Sequence, residues 1–478
     1  MKKLAKLIMV ACAAILYLSA CEPKPKEQKI YIVSTNDMHA NIDNFPQLGG
    51  LIDSLRTAHP DLILMSAGDN RSGNPINDRY AESSRPMCEL MNTVGFNLSC
   101  FGNHEWDNDV IGLRDVLTWT DFPFVCANVT FEDSLNMTNV HPYVVFENNG
   151  LKLGVIGAIQ LGANGLPDSH PKNLNGCHFT PIEEVLPQYI EELKDCNAIF
   201  LLSHCGYEAD RETAEQFPQL AAIFGGHSHT LVEDKQLVNG VMVTQAKSKV
   251  KYVTLSTFTF IDGNLVDKDM QLLSIKDFTK RNEKVTEMVR QYNSDPYFST
   301  VVASNLTPID DAEPLGCLMT DAIRNICGAD MGFQNPGGVR FDTLSVRPVT
   351  IKDLFALDPF DNEVVRFTLT GAEIIDLMKT CFVTDGGPIY CSGCSYSYTV
   401  NEETGEMENI QVTLENGKPL KMKTKYKVVM NSYMASVFDY PHNDEGTSTF
   451  RTSNEMIMEF LGQHPEIDYG TTSRVTEK

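Results

Sequence analysis

The stretch "VGFNLSCFGNHEWDND", residues 94–109, joins an apolar run to a cluster of polar residues. Its first half predicts a short buried strand, and its second half places Asn103, His104, Glu105 and Asp107 directly behind a glycine. Such a loop either caps the strand, which is the commoner case, or holds a metal and a phosphate. The stretch alone is compatible with both interpretations, so the rest of the chain has to decide between them.

The same pattern recurs along the first half of the chain. Short β-rich runs at 29–35, 61–68, 94–101, 152–158, 197–204 and 221–227 alternate with helical stretches, which predicts an α/β domain. Polar side chains stand at the ends of these runs: Asp37, His39, Asp69, Asn103, His104, Asp107, His204, His227 and His229. Residues at strand ends lie around one edge of a sheet, so we expect these side chains to converge.

The converging set has the chemistry of a metal centre. Imidazoles, carboxylates and an amide oxygen suit Zn²⁺, Mn²⁺, Fe²⁺ or Co²⁺ and do not suggest a thiolate-rich structural site. The ligands are too many for one tetrahedral ion, whereas two ions that share a carboxylate would use them well. Two ions roughly 3.5–4 Å apart can clamp an in-line phosphoryl displacement. The sequence therefore predicts two divalent ions and phosphoester hydrolysis.

These motifs, "STNDMHA", "GDN", "GNHEWD", "SHCG" and "GGHSH", resemble those of the calcineurin-like metallophosphoesterases, in their bacterial 5′-nucleotidase and UDP-sugar hydrolase branch. The resemblance implies a four-layer αββα sandwich joined by a helix to a smaller α+β substrate-binding domain. It assigns one metal to Asp37, His39, Asp69 and His229. It assigns the second metal to Asp69, Asn103, His204 and His227. It also implies that His104, oriented by Asp107, stabilises the transition state.

Several residues near these motifs depart from the pattern or lie outside it. Ala40 stands where the family usually has glycine, a change that we expect to be tolerated. Arg71 is an unusual cation beside the bridging carboxylate, and we interpret it as a surface or loop residue. Glu105 and Asp109 are predicted to be solvated loop acids, and Trp106 is predicted to serve packing.

The second half of the chain extends the resemblance. "NPGGVR" supplies Asn335 and Arg340, and "DPFDNEV" supplies Phe360, as expected of a nucleotide-binding domain. An arginine can fork onto a phosphate, and an aromatic face can stack on a base. The family's glycine-rich turn is replaced at residues 436–438, so the second stacking residue is predicted to be Tyr440, or else Phe438. Arg324 is a further candidate for phosphate binding.

The N-terminus carries a targeting signal. A basic segment and an apolar run end in "LSAC", which resembles a bacterial lipoprotein signal over residues 1–20 with the lipid on Cys21. We expect a tether at 21–28, a catalytic domain at 29–275, a linker helix at 276–298 and a substrate-binding domain at 299–478. The protein is thus predicted to be extracytoplasmic and lipid-anchored, on the periplasmic face or the cell surface.

The composition limits the classes of molecule that the protein is expected to bind. The formal net charge of −24 disfavours nucleic-acid polymers, but a metal site still allows a small anionic substrate. The CxxC pair Cys391 and Cys394 has no second half, which favours a local disulfide or two inert thiols. No feature specifies an oligomeric state.

The predicted function is removal of phosphate from nucleoside 5′-monophosphates, with nucleotide as the small-molecule partner. The same chemistry on UDP-sugars, 2′,3′-cyclic nucleotides or another phospho- or sulfo-ester is the alternative. A non-catalytic surface lipoprotein is a third hypothesis, and it would be expected to lack at least one metal ligand.

Overall fold

Two stacked β-sheets form the centre of the N-terminal half. The computed structural model describes residues 26–162, 164–341, 343–360, 362–401 and 403–478, so the predicted signal and Cys21 lie outside the described residues. The strands of this half are β1 (Glu27–Thr35), β2 (Ile63–Ser66), β3 (Leu98–Cys100), β4 (Phe124–Val125), β5 (Val129–Phe131), β6 (Val140–His141), β7 (Tyr143–Asn148), β8 (Leu151–Ile159), β9 (Cys177–Phe179), β10 (Ala198–His204), β11 (Ala222–Phe224), β12 (Gln236–Val238), β13 (Val241–Thr244), β14 (Tyr252–Ile261) and β15 (Asn264–Ser274). The helices are α1 (Phe45–Ala58), α2 (Pro75–Asp78), α3 (Arg85–Val94), α4 (Asp109–Trp119), α5 (Ile182–Glu192) and α6 (Tyr207–Gln216).

One sheet has the order β15-β14-β1-β2-β3-β4-β6, and the other has the order β12-β13-β11-β10-β8-β7. Alternation along β1 explains the layering, because Ile30 and Ile32 face the second sheet while Val33 faces the helices. Apolar residues of α1, α3 and α4 cover the first sheet, and those of α5 and α6 cover the second. The predicted four-layer α/β sandwich is confirmed.

The connector between the halves is shorter than predicted. Its helix α7 spans Glu283–Tyr292, because the side chain of Asn282 caps the first turn by accepting from the backbone N–H of Val285. Val285 and Val289 are buried in the core that α7 shares with α1 and α3. The helix is therefore packed onto the N-terminal domain and covers only part of 276–298.

The C-terminal half is a mixed α+β domain, as predicted. Its strands are β16 (Val301–Asn305), β17 (Met331–Gln334), β18 (Arg347–Thr350), β19 (Glu363–Thr370), β20 (Tyr390–Ser392), β21 (Cys394–Val400), β22 (Met407–Leu414), β23 (Lys425–Asn431), β24 (Thr447–Thr452), β25 (Glu466–Ile467) and β26 (Val475–Glu477). Its helices are α8 (Ala312–Cys327), α9 (Ile351–Leu357), α10 (Gly371–Thr384), α11 (Ser432–Val437) and α12 (Ser453–Gln463). Its central sheet has the order β20-β17-β23-β19-β24.

Two further predictions concern single features. Cys391 and Cys394 are buried free thiols, so the alternative of a local disulfide is not what the structure has. Within the described ranges, no helix combines the length and apolarity needed to cross a bilayer.

Candidate active site

The predicted metal ligands meet at one edge of the two sheets. Strands β1, β2 and β3 run parallel in the first sheet, as do β8, β10 and β11 in the second, so their carboxyl ends reach the same edge. Three groups of side chains there are spaced to hold a metal ion. They are Asp37 with His39 and His229, His39 with Asp69 and His104, and Asp37 with Asp69 and His204.

Asp69 lies at the centre of this cluster. Its Oδ2 is 3.2 Å from Nε2 of His204 and 4.0 Å from Nε2 of both His39 and His104. The carboxylate is buried, and burial alone would raise its pKa, yet His204 and His104 hold that pKa well below its usual range. Asp69 is therefore the anion that all three imidazoles face, as a shared carboxylate between two cations would be.

The remaining ligands stand on either side of Asp69. Nε2 of His229 lies 3.0 Å from Nε2 of His39 and 3.4 Å from Oδ1 of Asp37. Nδ1 of His227 lies 3.1 Å from Oδ1 of Asn103. The structure thus brings all seven predicted ligands into one cluster, and Asp69 belongs to both of the subgroups that the sequence predicts.

The imidazoles are oriented as metal ligands are. Nδ1 of His204 donates to the carbonyl of Ala67 at 2.7 Å, and Nδ1 of His39 faces the carbonyl of Ser72 at 3.0 Å. A carbonyl accepts only from a protonated nitrogen, so the lone pair in each ring lies on Nε2, directed into the cluster. Nε2 of His204 is buried and lies 3.2 Å from Oδ2 of Asp69 and 3.9 Å from Oδ1 of Asp37. These residues fit divalent cations.

The backbone around the cluster is strained. Asp37, His39, Asp69, His227 and His229 have φ values of 47°, 46°, 51°, 76° and 52°, in the left-handed region that non-glycine residues rarely adopt. Hydrogen bonds from the backbone N–H of Asp37 to Gly68 and of His39 to Asp69 hold two of these loops together. Strain of this kind persists only where surrounding structure imposes it, and it concentrates at functional sites.

Glu105 is not the solvated loop acid that the sequence predicted. It is 1% exposed, and its carboxylate accepts hydrogen bonds from the backbone N–H groups of Asp69 and Asn70 at 2.9 Å and of Gly102 at 2.5 Å. It therefore ties the loop of the shared carboxylate to the loop of His104. Gly102 is required here, because a Cβ at this position would lie 2.2 Å from Oδ1 of Asp69.

Arg71 is also not a surface residue, since it is 3% exposed. Its guanidinium contacts the carbonyl of Glu105 at 3.4 Å and the hydroxyl of Ser83 at 3.5 Å. Trp106 is fully buried in the core, as predicted. Asp109 is not simply a solvated loop acid, because its carboxylate accepts from the backbone N–H of Ile111 at the start of α4.

His104 has a different environment from the metal ligands. Its Nδ1 lies 2.8 Å from Oδ2 of Asp107, and its ring stacks on Phe360 with centroids 5.5 Å apart. Burial lowers the pKa of His104, but Asp107 and Asp69 outweigh burial and raise it overall. The carboxylate of Asp107 thus orients the imidazole of His104. The raised pKa favours its protonated form, which can donate a hydrogen bond from Nε2.

A cavity of about 510 Å³ joins the two domains at the cluster. The N-terminal domain contributes Asp69, Asn103, His104, Asp107, Asp168, Ser169, His170, Lys172, Asn173, His227, Ser228 and His229. The C-terminal domain contributes Asn335, Gly337, Gly338, Arg340, Phe360, Asn362, Asp385, Ser432 and Tyr433. The predicted residues Asn335, Arg340 and Phe360 are therefore placed at the cavity that the metal ligands face.

Arg340 reaches from the C-terminal domain to the metal ligands. Its Nη2 lies 3.0 Å from Nε2 of His39, and its backbone carbonyl accepts from Nζ of Lys249 at 2.5 Å. Burial and Arg340 together hold the pKa of His39 well below its usual range. Arg340 thus provides positive charge at the point where the cluster opens into the cavity.

Two predicted substrate-binding residues lie elsewhere. Tyr440 and its alternative Phe438 are buried in the core of the C-terminal domain, 5% and 3% exposed, and neither lines the cavity. Arg324 pairs with Glu415 at 2.6 Å and does not line the cavity. The aromatic residue that lines the cavity together with Phe360 is Tyr433, because the side chain of Asn431 caps α11 and places Tyr433 in its first turn.

Sequence reasoning also missed the loop 168–173 and Asp385. In that loop, the carbonyl of Asp168 accepts from Nδ2 of Asn103, and its carboxylate lies 3.6 Å from Nε2 of His227. Asp385 accepts from Nδ2 of Asn335 and from the backbone N–H of Gly337, which supports the NPGG turn. Tyr433 could have been found from its position two residues after the end of β23, because the metal ligands were also found at strand ends.

Comparison with known proteins identifies the two domains. Residues 30–231 match the model of the calcineurin-like phosphoesterase family, and residues 299–440 match that of the 5′-nucleotidase C-terminal domain. A 5′-nucleotidase of Vibrio cholerae is 24% identical, with 96% of each chain covered, and the protein UshA of Yersinia enterocolitica is 26% identical, with 93% of each covered. The crystal structure of a 5′-nucleotidase precursor from Thermus thermophilus covers 94% of this chain and 99% of its own, with a TM-score of 0.85 at 23% identity.

Fold, ligand set and domain pair together define a metal-dependent phosphoester hydrolase. The chain belongs to the family of proteins that join a calcineurin-like phosphoesterase domain to a 5′-nucleotidase C-terminal domain.

Proposed function

We propose that the protein removes the phosphate from nucleoside 5′-monophosphates with a dinuclear metal centre. The observation that carries this proposal is a single cavity in which the metal-ligand cluster faces Arg340, Phe360 and Tyr433 of the other domain. A phosphate at the cluster would leave the nucleoside directed toward the two aromatic rings. The proposal keeps the predicted substrate, nucleoside 5′-monophosphate, and assigns the second stacking ring to Tyr433 instead of Tyr440.

The two ions would be held by Asp37, His39, Asp69 and His229 on one side and by Asp69, Asn103, His204 and His227 on the other. When bound, such ions supply positive charge for the transferring phosphoryl group and activate water. Burial lowers the pKa of His204, but Asp69 and Asp37 outweigh it and raise that pKa to about 10, so protons compete with metal for this imidazole at every pH below about 10.

Side chains of the protein bind the nucleotide and stabilise the transition state. His104, oriented by Asp107, donates from Nε2 to a phosphoryl oxygen and stabilises charge as it develops. Arg340 carries a planar guanidinium that suits bidentate contact with phosphate. Phe360 and Tyr433 stack on the base, which is worth about 1–3 kcal/mol per base in related settings. Asn335 and Asp385 hold the turn that carries Arg340.

The test is phosphate release by the purified protein from nucleoside monophosphates, with Zn²⁺, Mn²⁺, Co²⁺ or Fe²⁺ supplied in turn. Metal analysis of the same sample should give two ions per chain. If less than one ion binds and no phosphoester is hydrolysed, the protein is a non-catalytic binding protein instead.

A second substrate class keeps the same chemistry. Lys172 lines the cavity in addition to Arg340, so a second phosphate, as in UDP-sugars, would also meet a cation. Comparison of kcat/KM between nucleoside monophosphates, UDP-sugars and 2′,3′-cyclic nucleotides separates the two. Higher kcat/KM for UDP-sugars, lost in Lys172→Ala, would favour the second class.

The extracytoplasmic location and the lipid on Cys21 belong to the same proposal and rest on the sequence of residues 1–28. Labelling cells with a radioactive fatty acid tests the anchor. Label should enter the wild-type chain and be absent from Cys21→Ser.

A further inference from the structure

Asp168 contacts two of the metal-ligating side chains through two different groups. Its backbone carbonyl accepts a hydrogen bond from Nδ2 of Asn103 at 3.1 Å. Oδ2 of its carboxylate lies 3.6 Å from Nε2 of His227. Asn103 and His227 both belong to the set that would hold the second ion. One residue outside that set therefore faces two ligands of the same ion.

The carbonyl of Asp168 fixes the orientation of the Asn103 amide. A carbonyl accepts only from the nitrogen of an amide side chain, so this contact directs Oδ1 of Asn103 to the other side. That oxygen lies 3.1 Å from Nδ1 of His227. Oxygen is the atom through which an amide side chain binds a divalent cation. The contact with Asp168 therefore turns the ligand atom of Asn103 toward its neighbouring ligand.

The carboxylate of Asp168 faces the other nitrogen of His227. Because Nδ1 is turned toward Oδ1 of Asn103, Nδ1 is the atom placed to share an ion with that oxygen. A neutral imidazole that binds metal through Nδ1 carries its proton on Nε2. Metal-bound histidines usually donate this proton to a carboxylate, a carbonyl or water, which fixes the ring and raises its basicity. The Asp168 side chain lines the cavity and is 43% exposed, so it is free to close the ionic contact of 3.6 Å to a hydrogen bond.

The backbone of Asp168 is tied to the strands that carry the ligands. Its N–H donates to Oε1 of Gln160 at 3.2 Å. Gln160 directly follows β8, and its own backbone N–H donates to the carbonyl of His204 at 3.0 Å. All of these contacts lie within the N-terminal domain. The position of Asp168 is therefore set by the scaffold that also places His204.

We propose that Asp168 is a positioning residue for the second metal ion. Its carbonyl orients Asn103, and its carboxylate orients His227 and fixes the proton of that ring on Nε2. This role rests on the dinuclear centre of the proposed function, because it acts through two ligands of that centre. Loss of the carboxylate should weaken the second ion although no ligand is removed.

The test measures affinity for Mn²⁺ in the full chain. Equilibrium dialysis at controlled free Mn²⁺ gives a dissociation constant for each ion. Asp168→Ala should raise one of these constants about 10–100-fold and leave the other nearly unchanged. Asp168→Asn should recover most of the affinity, because its amide oxygen still accepts from Nε2 of His227. The exposed Asp195 gives a matched control, Asp195→Ala, which should keep both constants.

Two further backgrounds identify the ion that is weakened. His229→Ala removes a ligand of the first ion only, so the ion that still binds is the second. Adding Asp168→Ala there should raise its dissociation constant about 10–100-fold. Asn103→Ala removes a ligand of the second ion only, and adding Asp168→Ala there should leave the remaining dissociation constant unchanged.

Three results would overturn the role of Asp168. Equal Mn²⁺ affinities in the wild type and Asp168→Ala would do so, and a raised KM for nucleotide in that variant would then assign the carboxylate to the substrate. Equal weakening of both ions would do so as well, because it would indicate general damage to the loop. A wild-type chain that binds fewer than two ions would overturn the dinuclear centre itself, a result that dialysis of the wild type distinguishes from the other two.

Discussion

Replacement of Glu105 by alanine should weaken the fold and the metal centre together. The substitution leaves three buried backbone N–H groups, those of Asp69, Asn70 and Gly102, without their acceptor. A buried donor left without a partner costs about 1–3 kcal/mol, so the three together suggest about 3–9 kcal/mol. Burial and the neighbouring Asp69 raise the pKa of Glu105 to about 7, so removing a costly buried charge offsets part of this loss. We expect a net decrease of about 2–4 kcal/mol in the free energy of unfolding.

The assay is urea unfolding of the metal-free protein, followed by calorimetric titration with Mn²⁺. Glu105→Gln should fall between the wild type and Glu105→Ala, because its amide keeps one acceptor oxygen but turns an N–H toward a backbone N–H. Glu212→Ala, on the exposed face of α6, is the matched control and should change stability by less than about 0.5 kcal/mol. Equal unfolding midpoints for Glu105→Ala and Glu212→Ala would refute the reasoning.

Four further outcomes are expected. Asp69→Asn should abolish binding of both metal ions together, because both subgroups share its carboxylate; loss of a single ion in metal analysis would contradict this. His104→Asn should keep the metal content and lower kcat by about 10²–10⁴, whereas metal loss equal to that of Asp69→Asn would contradict the separate roles. Phe360→Leu and Tyr433→Leu should each raise KM for nucleotide about tenfold, in line with a stacking contribution of about 1–3 kcal/mol, and leave KM for glycerol phosphate, which has no ring to stack, nearly unchanged. Burial raises the pKa of Asp210 to about 7 from 3.8, so the native state holds a proton that the unfolded state releases; the stability of the wild type should therefore fall relative to Asp210→Asn between about pH 4 and 7, measured by urea unfolding with EDTA.

The strand ends made the fold and the metal cluster predictable. Parallel strands bring their carboxyl ends to one edge, so Asp37, Asp69 and His204 could be placed together from hydrophobic runs alone. The near-continuous apolar run of β1 is likewise typical of a strand that is buried on both faces. These inferences depend only on local patterns and on the geometry of parallel sheets.

The errors arose where a long-range contact decides the outcome. Glu105 has the composition of a solvated loop acid, and only the close approach of two loops at Gly102 buries it. Arg71 is buried by α3 and α4, which no pattern around residue 71 reveals. Tyr440 and Tyr433 are both aromatic residues after the same strand, and the cap formed by Asn431 decides which one faces the cavity.

The division of the cavity between two domains bears on the design of selective inhibitors. A compound that binds only the metal ions meets ligands that many phosphoesterases share, so its selectivity would be poor. A compound that extends past Arg340 to Phe360 and Tyr433 would instead depend on side chains of the C-terminal domain. Selectivity for this protein should therefore be sought in the part of the molecule that takes no part in metal binding.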